Sequence, residues 1–157
     1  GGNWIVGEAL FFVKSENVYL KLDGAKVKTG KYLIHAIVNE DPAATKVPAD
    51  MICKVYGVNA ALANGDYTGD IVNEDTDRTL NVTIQNASVT GAIVDAYISL
   101  EGSRWTATAD STVCLMGDVK SQQLDAPAGV TISAKAGEGC GLTGSYTLAS
   151  GGILTVD

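Results

Sequence analysis

The chain has few charged residues, and most of them are acidic. Charged residues make up 18% of its 157 positions, with 18 acids against 11 bases and a formal net charge of −7. Soluble proteins average about 25% charged residues. Because no long basic stretch offsets the acids, we expect no binding to nucleic acid through phosphate contacts.

Long apolar runs are also missing. No run approaches the roughly 18 consecutive residues that a membrane-spanning helix needs, so we expect no membrane insertion by this chain. The apolar fraction of 46% nevertheless excludes wholesale disorder. The length suits one domain with a sizeable core better than two. We therefore predict a single domain over residues 1–157.

Cysteines are too few and too far apart for a zinc site. The closest two of Cys53, Cys114 and Cys140 are 26 positions apart, which is not a metal-ligand spacing. An odd count leaves at least one free thiol in a monomer and excludes a small disulfide-stapled scaffold. We expect all three to be mostly buried, to act as small hydrophobes, and to need no disulfide.

His35 is the only histidine, which limits nucleophilic catalysis. A Ser/His/Asp or Cys/His mechanism would have to use it. It lies in a strand-like segment with no Ser, Cys or acid beside it, and the chain has no Gly-x-Ser-x-Gly elbow. We therefore interpret it as a hydrogen-bonded structural histidine and assign no catalytic residue.

What the chain does contain is short alternating runs rich in Val, Ile, Thr and Tyr, which are typical of strands. The clearest runs are Val18 to Leu22, Leu80 to Ile84, Ile93 to Leu100, Trp105 to Leu115, Val130 to Ser133 and Ile153 to Val156. Turn-forming pairs separate them: Asp23-Gly24, Asn64-Gly65, Glu101-Gly102, Gly117-Asp118 and Gly151-Gly152. Only Asp41 to Met51 has the character of a helical turn, and its prolines limit it. The pattern predicts an all-β fold.

The strands carry a degenerate repeat. The block that begins at Asn17 aligns with the block that begins at Leu80, and each closes on a glycine, Gly30 or Gly91. The alignment equates three apolar pairs: Leu20 with Val82, Leu22 with Ile84, and Val27 with Val89. Separately, Ile-Val-Asn-Glu-Asp at 37–41 recurs at 71–75, and Ala-Ile-Val at 36–38 recurs at 92–94.

A repeat of strand, tight turn, strand and glycine with uneven loops is typical of a β-solenoid. At roughly 20–29 residues per coil, the chain would hold about six coils. The equated apolar residues should then point inward and stack from coil to coil. An antiparallel β-sandwich or jelly roll gives the same alternation and stays open as the alternative.

The segment from Leu100 to Val113 carries a resemblance to a known family. It reads Leu-Glu-Gly-Ser-Arg-Trp-Thr-Ala-Thr-Ala-Asp-Ser-Thr-Val. This resembles a coil found near the end of right-handed parallel β-helices in bacterial adhesin-like and autotransporter-passenger-type surface proteins. The segment from Leu142 to Val156 resembles their glycine-bounded terminal coils. The resemblance covers Leu80 to Val156, and it implies a right-handed parallel β-helix that is extracellular or on the cell surface.

The densest acidic stretch runs from Asp66 to Asp77. Clustered carboxylates could bind calcium, or two of them could act on a sugar as in glycosidases. At Arg78, however, the sequence departs from the Asp-x-Asp-x-Asp-Gly pattern of calcium loops. We interpret the stretch as a solvated, mutually repelling loop and predict no metal site.

The run Gly139 to Gly144 matches Gly-x-Gly-x-x-Gly, the dinucleotide-binding fingerprint. That fingerprint needs a following helix, whereas the 13 remaining residues are strand-like. We expect these glycines to form tight corners and predict no cofactor.

Two features concern sugars. The sequons at Asn81 and Asn86 are formal glycosylation sites, which we expect to supply turn and ladder hydrogen bonds instead. Aromatic side chains could stack on sugar rings if exposed, or belong to the core if buried. The candidates for stacking are Trp4, Tyr56, Tyr67 and Tyr97.

These features favour a non-enzymatic, extracellular adhesin-like surface module, structural or binding a glycan or a host or cell-surface protein. Asp41 to Asp50 and Asn64 to Arg78 are expected to be variable loops that make the contact. The alternative is a carbohydrate-active enzyme or a carbohydrate-binding module on an all-β scaffold.

Overall fold

The computed structural model describes residues 8–39 and 57–157, which form one curled, mixed sheet of fourteen strands. These residues contain no α-helix, and a 3-10 turn at Ser121–Gln123 is their one helical segment, so the all-β prediction is confirmed. The predictions for Trp4, Cys53, Tyr56 and the segment 41–51 lie outside the described residues. The strands are β1 (Ala9–Lys14), β2 (Val18–Asp23), β3 (Lys26–Ile37), β4 (Gly57–Ala63), β5 (Asp66–Glu74), β6 (Thr79–Gln85), β7 (Ser88–Thr90), β8 (Ile93–Glu101), β9 (Arg104–Thr106), β10 (Ser111–Met116), β11 (Leu124–Asp125), β12 (Thr131–Ala136), β13 (Gly144–Thr147) and β14 (Ile153–Val156).

The strands pair in three stacks. The first stack is β2-β4-β6-β8-β10-β12-β14, with every neighbour parallel. The second stack joins the start of β3 to the start of β5, then β7, β9 and β11. The third joins β1, the end of β3, the end of β5 and the start of β8. As far as β8, the chain visits the first, second and third stacks in turn and then returns to the first. Beyond β8, the strands from β9 to β12 alternate between the second and first stacks.

The apolar pairs equated by the repeat do share rows across the sheet. Leu20, Ala60, Val82 and Ile98 are successive partners in the first stack. Val27, Tyr67, Val89 and Trp105 are successive partners in the second. In the equated pairs, Leu20 and Leu22 are half-buried against the core and the other members are buried. The inward stacking predicted from the sequence is confirmed.

The sheet is mixed because β13 runs antiparallel to β14, which the expectation of a wholly parallel solenoid missed. The other strand pairs among the described residues are parallel, an arrangement that an antiparallel sandwich would not produce. The turn before β14 is fastened by Asp125, whose carboxylate accepts hydrogen bonds from the Ser150 hydroxyl (2.5 Å) and amide (2.9 Å). These bonds from Ser150 hold the pKa of Asp125 below its ordinary value.

The register of the pentapeptide repeat differs from the sequence alignment. Ile71 pairs with Ile34, and Ile37 pairs with Glu74, so the two identical pentapeptides are three residues out of step. Ile93 likewise pairs with Ile71, which excludes the equivalence of the two Ala-Ile-Val segments. Burial explains the shift, because Ile34, Ile71 and Ile93 are all fully buried whereas Ile37 is half-exposed.

Tight corners join the first stack to the second. The residues at successive corners have left-handed backbone, with φ of 69° at Gly24, 51° at Asn64, 48° at Asn86 and 57° at Gly102. Glycine and asparagine adopt this conformation at low cost. The Asn64 amide donates to Asp23 (2.8 Å) and the Asn86 amide donates to Asn64 (3.0 Å), which makes a polar ladder along the corner. The ladder role expected for the second sequon is confirmed.

The interior is a continuous apolar cluster, and its two large aromatic residues with a polar group both have hydrogen-bond partners. Trp105 is fully buried, and its indole N–H donates to the Gly91 carbonyl at 2.8 Å. Tyr67 is also buried, with its hydroxyl donating to the Ala63 carbonyl at 2.8 Å. Buried polar groups with partners avoid the desolvation penalty that they would otherwise incur.

Truncating an inward side chain should destabilise the fold far more than truncating its outward neighbour. We expect Ile98→Ala to lower the free energy of unfolding by about 3 kcal/mol, because it leaves a cavity in a fully buried row. Ser99→Ala, on the outer surface of the same strand, should change it by about 0.5 kcal/mol or less. Urea denaturation measures both, and equal effects would contradict the inward stacking.

The two glycines equated by the repeat should tolerate alanine very differently. A Cβ at Gly91 would lie 2.0 Å from the Gly69 carbonyl oxygen, whereas a Cβ at Gly30 would meet nothing within 4 Å. We expect Gly91→Ala to cost about 2 kcal/mol or more and Gly30→Ala to stay within about 0.5 kcal/mol of wild type. Thermal unfolding measures both variants. Equal melting temperatures would contradict the close approach of the Gly91 and Gly69 backbones.

Candidate functional site

A groove on the outer surface of the first stack is the candidate site, because it places an exposed aromatic ring beside charged and hydroxyl side chains. It crosses β8, β10 and β12 and has a volume of about 380 Å³, which is at the small end of the range for ligand sites. We call it the bulge groove, and the side chains that define it are Asp95, Tyr97, Thr112, Cys114, Ser133 and Lys135.

The groove owes its shape to a β-bulge between β8 and β10. Thr112 pairs with Val94 and the next residue, Val113, pairs with Ala96, so Asp95 is the extra residue. Asp95 has left-handed backbone with φ of 56°, a conformation that aspartate tolerates better than most residues. Its amide donates to the Thr112 hydroxyl (3.0 Å), which in turn donates to the Asp95 carboxylate (2.9 Å). These two bonds fix the bulge.

The walls of the groove follow from strand alternation. Tyr97, Cys114 and Lys135 are register partners on three adjacent strands and form one outward row. Thr112 and Ser133 are partners in the row beside it. Successive residues of a strand point to opposite faces, so the buried residues between these rows form the floor.

The groove offers an aromatic ring beside polar groups that are not already engaged. Tyr97 is 43% exposed, and Lys135 and Ser133 are also exposed. Among the described residues, no hydrogen bond or ion pair engages the Tyr97 hydroxyl or the Lys135 ammonium group. The site can therefore hold a polar molecule that has both an apolar face and hydrogen-bonding groups.

Cys114 lies in this groove as a free thiol. Neither it nor Cys140 is bridged, and each is more buried than exposed, which agrees with the prediction for these two cysteines. Cys114 is partly exposed because it occupies an outward position of β10, opposite Tyr97. Desolvation, followed by the nearby Cys140, raises the pKa of Cys114 and keeps it a neutral, poorly nucleophilic thiol at neutral pH.

His35 is held by partners that are distant in sequence. Its Nε2 N–H donates to the Glu74 carboxylate at 2.5 Å, Tyr32 stacks on the ring at 4.1 Å, and Phe12 meets it edge-on at 5.6 Å. The predicted hydrogen-bonded histidine is confirmed. The acid was not predicted because Glu74 reaches His35 only through the pairing of β3 with β5, in which Val72 is the register neighbour of the histidine. Phe12 is its register neighbour on the other side, in β1.

The acidic stretch is a strand and not a loop. Asp66 to Glu74 forms β5, which corrects the interpretation of this stretch as a repelling loop and of Asn64 to Arg78 as a variable one. Asp66 accepts the Ser88 hydroxyl (2.6 Å) and Asp70 accepts the Ala92 amide (2.9 Å). The three carboxylates of β5 are thus spread along the strand, and each has its own partner, which for Glu74 is His35. Asp75 and Asp77 follow in the connection to β6. Within residues 8–39 and 57–157, no three His, Cys, Asp or Glu side chains are grouped to hold a metal ion.

Asp75 and Arg78 form an ion pair in the connection between β5 and β6. Their side chains are 3.6 Å apart and only 4% and 6% exposed. The Asp77 amide also donates to Asp75 (3.0 Å), and Arg78 Nε donates to Asn17 (3.3 Å). These contacts fix the passage from the third stack back to the first.

The remaining motifs have structural roles. The run Gly139 to Gly144 leads into β13, so no helix follows it. The backbone is left-handed at Gly139 (φ of 82°) and at Gly144 (φ of 84°), which agrees with the prediction that these glycines form tight corners. In the first sequon, the Asn81 amide donates to Asn59 on the neighbouring strand at 3.3 Å, which confirms a ladder role.

The aromatic candidates divide between core and surface. Tyr67 is only 1% exposed, so it belongs to the core and cannot stack on a sugar ring. Tyr97 is 43% exposed and can make such a contact. Tyr19, 69% exposed, was not among the candidates. It alternates with Leu20 and Leu22 of the same strand, a signal that could have identified it as outward-facing.

Comparison with known proteins identifies no relative of this chain. No family model, curated protein or solved structure matches the chain. Among the described residues, none of the helical segments has the length and apolar content to cross a bilayer. The functional argument therefore depends on geometry.

Removing the buried charge of Asp75 should destabilise the protein, whereas removing an exposed charge on β5 should not. We expect Asp75→Asn to lower the free energy of unfolding by about 2 kcal/mol, because the Arg78 side chain keeps its charge in a buried position. Asp66→Asn, at an exposed position at the start of β5, should cost about 0.5 kcal/mol or less. Equal losses in chemical denaturation would show that the Asp75 pair is not structurally important.

Proposed function

We propose that this chain is a non-enzymatic, extracellular adhesin-like surface module built on a right-handed parallel β-helix. The supporting observation is the order of the strands: stacks of parallel strands are visited in a repeating order, through three stacks as far as β8 and two beyond it, and they pack around one apolar core. Solenoids of this kind gain stability from contacts between neighbouring coils, which leaves their outer faces for binding.

One argument supports the right-handed winding, and a second supports the β-helix itself. Connections between parallel strands of one sheet are right-handed in about 98% of cases. In addition, the residues of the family-like segment have coil-building roles here. Asp110 accepts the Thr131 amide at 2.9 Å, and Ser111 accepts the Ile93 amide at 3.1 Å, so each links its coil to a neighbouring one.

The distribution of reactive side chains favours binding over catalysis. The acids of β5 accept hydrogen bonds from neighbouring strands, and the contacts of His35 include no nucleophile. Hydrolysis is usually carried out in a concave, partly dry site. The bulge groove is instead an open depression on a sheet face, with Asp95, Ser133 and Lys135 all exposed. A carbohydrate-active enzyme is therefore the less favoured alternative.

Two assays on the same protein, one of adhesion and one of hydrolysis, distinguish the adhesive module from the carbohydrate-active enzyme. Beads coated with the chain should be retained under flow on a mucin-coated or cell-matrix surface, and albumin-coated beads are the control. The same protein should release no new reducing ends from neutral or acidic polysaccharides. Steady release that is lost in Asp95→Asn would replace the proposal with the enzymatic alternative. Retention no better than albumin on every surface would overturn the adhesive role.

A further inference from the structure

We infer that the bulge groove binds a neutral oligosaccharide, with Tyr97 as the platform on which a sugar ring stacks. The inference builds on the proposed function and names the ligand class and the face that takes it. Three features of the groove support it: the exposed position of its aromatic residue, the chemistry and charge of its polar side chains, and the fixed shape of the bulge.

Tyr97 provides the apolar contact. It is the exposed aromatic residue of the outward row that continues through Cys114 to Lys135, so its ring borders the groove at the middle of a sheet face. A pyranose ring presents apolar C–H groups on one face and hydroxyl groups around its edge. An exposed tyrosine can pack against that face and keep its own hydroxyl free for a hydrogen bond.

The polar side chains match the hydroxyl edge of a sugar. Asp95 and Asp157 provide acceptors, Lys135 provides a donor, and Thr112 and Ser133 provide hydroxyl groups. Two carboxylates against one ammonium group give the groove a net negative charge, and the chain as a whole carries −7. This balance disfavours uronic or sialic acids and favours a ligand without charge.

The architecture argues against a peptide as the occupant. Peptides commonly add to a sheet by hydrogen bonding along a free strand edge. The groove instead lies over β8, β10 and β12, and β10, its central strand, is paired on both sides. Recognition must therefore come from side chains on the sheet face, which suits a ring of small size in a groove of about 380 Å³.

The bulge makes the site rigid before any ligand arrives. Asp95 is fixed by its two hydrogen bonds with Thr112, and only one carboxylate oxygen is used in them. Its left-handed backbone is a conformation that costs energy for a residue other than glycine, and such positions cluster at binding sites. Preorganised groups lose less entropy on binding.

Three variants test the groove against a matched site on the same face. Tyr97→Ala removes the ring, Tyr97→Phe keeps the ring without the hydroxyl, and Asp95→Asn removes a charge while retaining a residue that accepts left-handed backbone. Tyr19→Ala is the control, because Tyr19 is also exposed and lies in the same row, three strands or about 14 Å away.

The probes are hexamers of β-1,4-linked glucose, xylose, mannose and N-acetylglucosamine, with oligogalacturonate hexamer as the acidic comparison. Amide-resolved NMR titration of the folded chain reports binding and its location together. We expect at least one neutral hexamer to bind at Asp95, Tyr97 and Lys135. Tyr97→Ala should weaken that binding about tenfold or more, with Tyr97→Phe and Tyr19→Ala close to wild type. Asp95→Asn should weaken it to an intermediate degree.

Four outcomes would overturn the inference: no neutral hexamer binds, the acidic hexamer binds more tightly, Tyr97→Ala binds as wild type does, or Tyr19→Ala loses binding equally. Circular dichroism and urea denaturation of each variant separate lost binding from lost folding. If the neutral hexamers fail while coated beads are still retained under flow, the sugar-binding groove is wrong and the adhesive role stands.

Discussion

The parallel register between successive strands is the constraint on which the rest of the structure depends. Paired residues of the first stack lie opposite each other on neighbouring strands, so an inward position on one strand requires inward positions on the strands paired with it. Slipping by one residue would turn every apolar side chain outward. The row from Leu20 to Ile98 meets this requirement with side chains of different size, from alanine to isoleucine. Side chains of different volume can therefore occupy one row if the neighbouring rows fill the remaining space. The apolar character of each position is kept but its residue type is not, which is why the repeat is degenerate.

The parts of the fold that depend on alternation could be predicted from the sequence, and those that depend on long-range pairing could not. Leu20 and Val82 were identified as equivalent because apolar alternation and turn residues surround both. The pentapeptide repeat did not predict the register, because its equivalent residues Ile37 and Ile71 are not partners in the sheet. Ile71 pairs with Ile34 instead, and this pairing places two fully buried isoleucines opposite each other. The acids of β5 resembled a loop because outward charges on a strand interrupt the apolar pattern that marks it.

The candidate site was the part least accessible from sequence. Tyr97 was among the aromatic candidates, but nothing local distinguished it from Tyr67, whose ring is buried. The bulge at Asp95 contains no glycine that would have indicated it in the sequence. It exists because two successive residues of β10 pair with residues of β8 that are two positions apart, which leaves Asp95 unpaired between them. A groove made by three strands is a property of their pairing, so its residues are scattered over the chain from Asp95 to Lys135.

The uneven lengths of chain between paired strands have an evolutionary consequence. Val18 pairs with Val58 and Val82 pairs with Ile98, although the first pair is separated by far more sequence than the second. The ladder of paired strands is therefore compatible with connections of very different length. The molecular surface can gain or lose segments in such connections while the inward rows keep their pattern. A foreign peptide placed in one of them would be displayed at a fixed height along the stack.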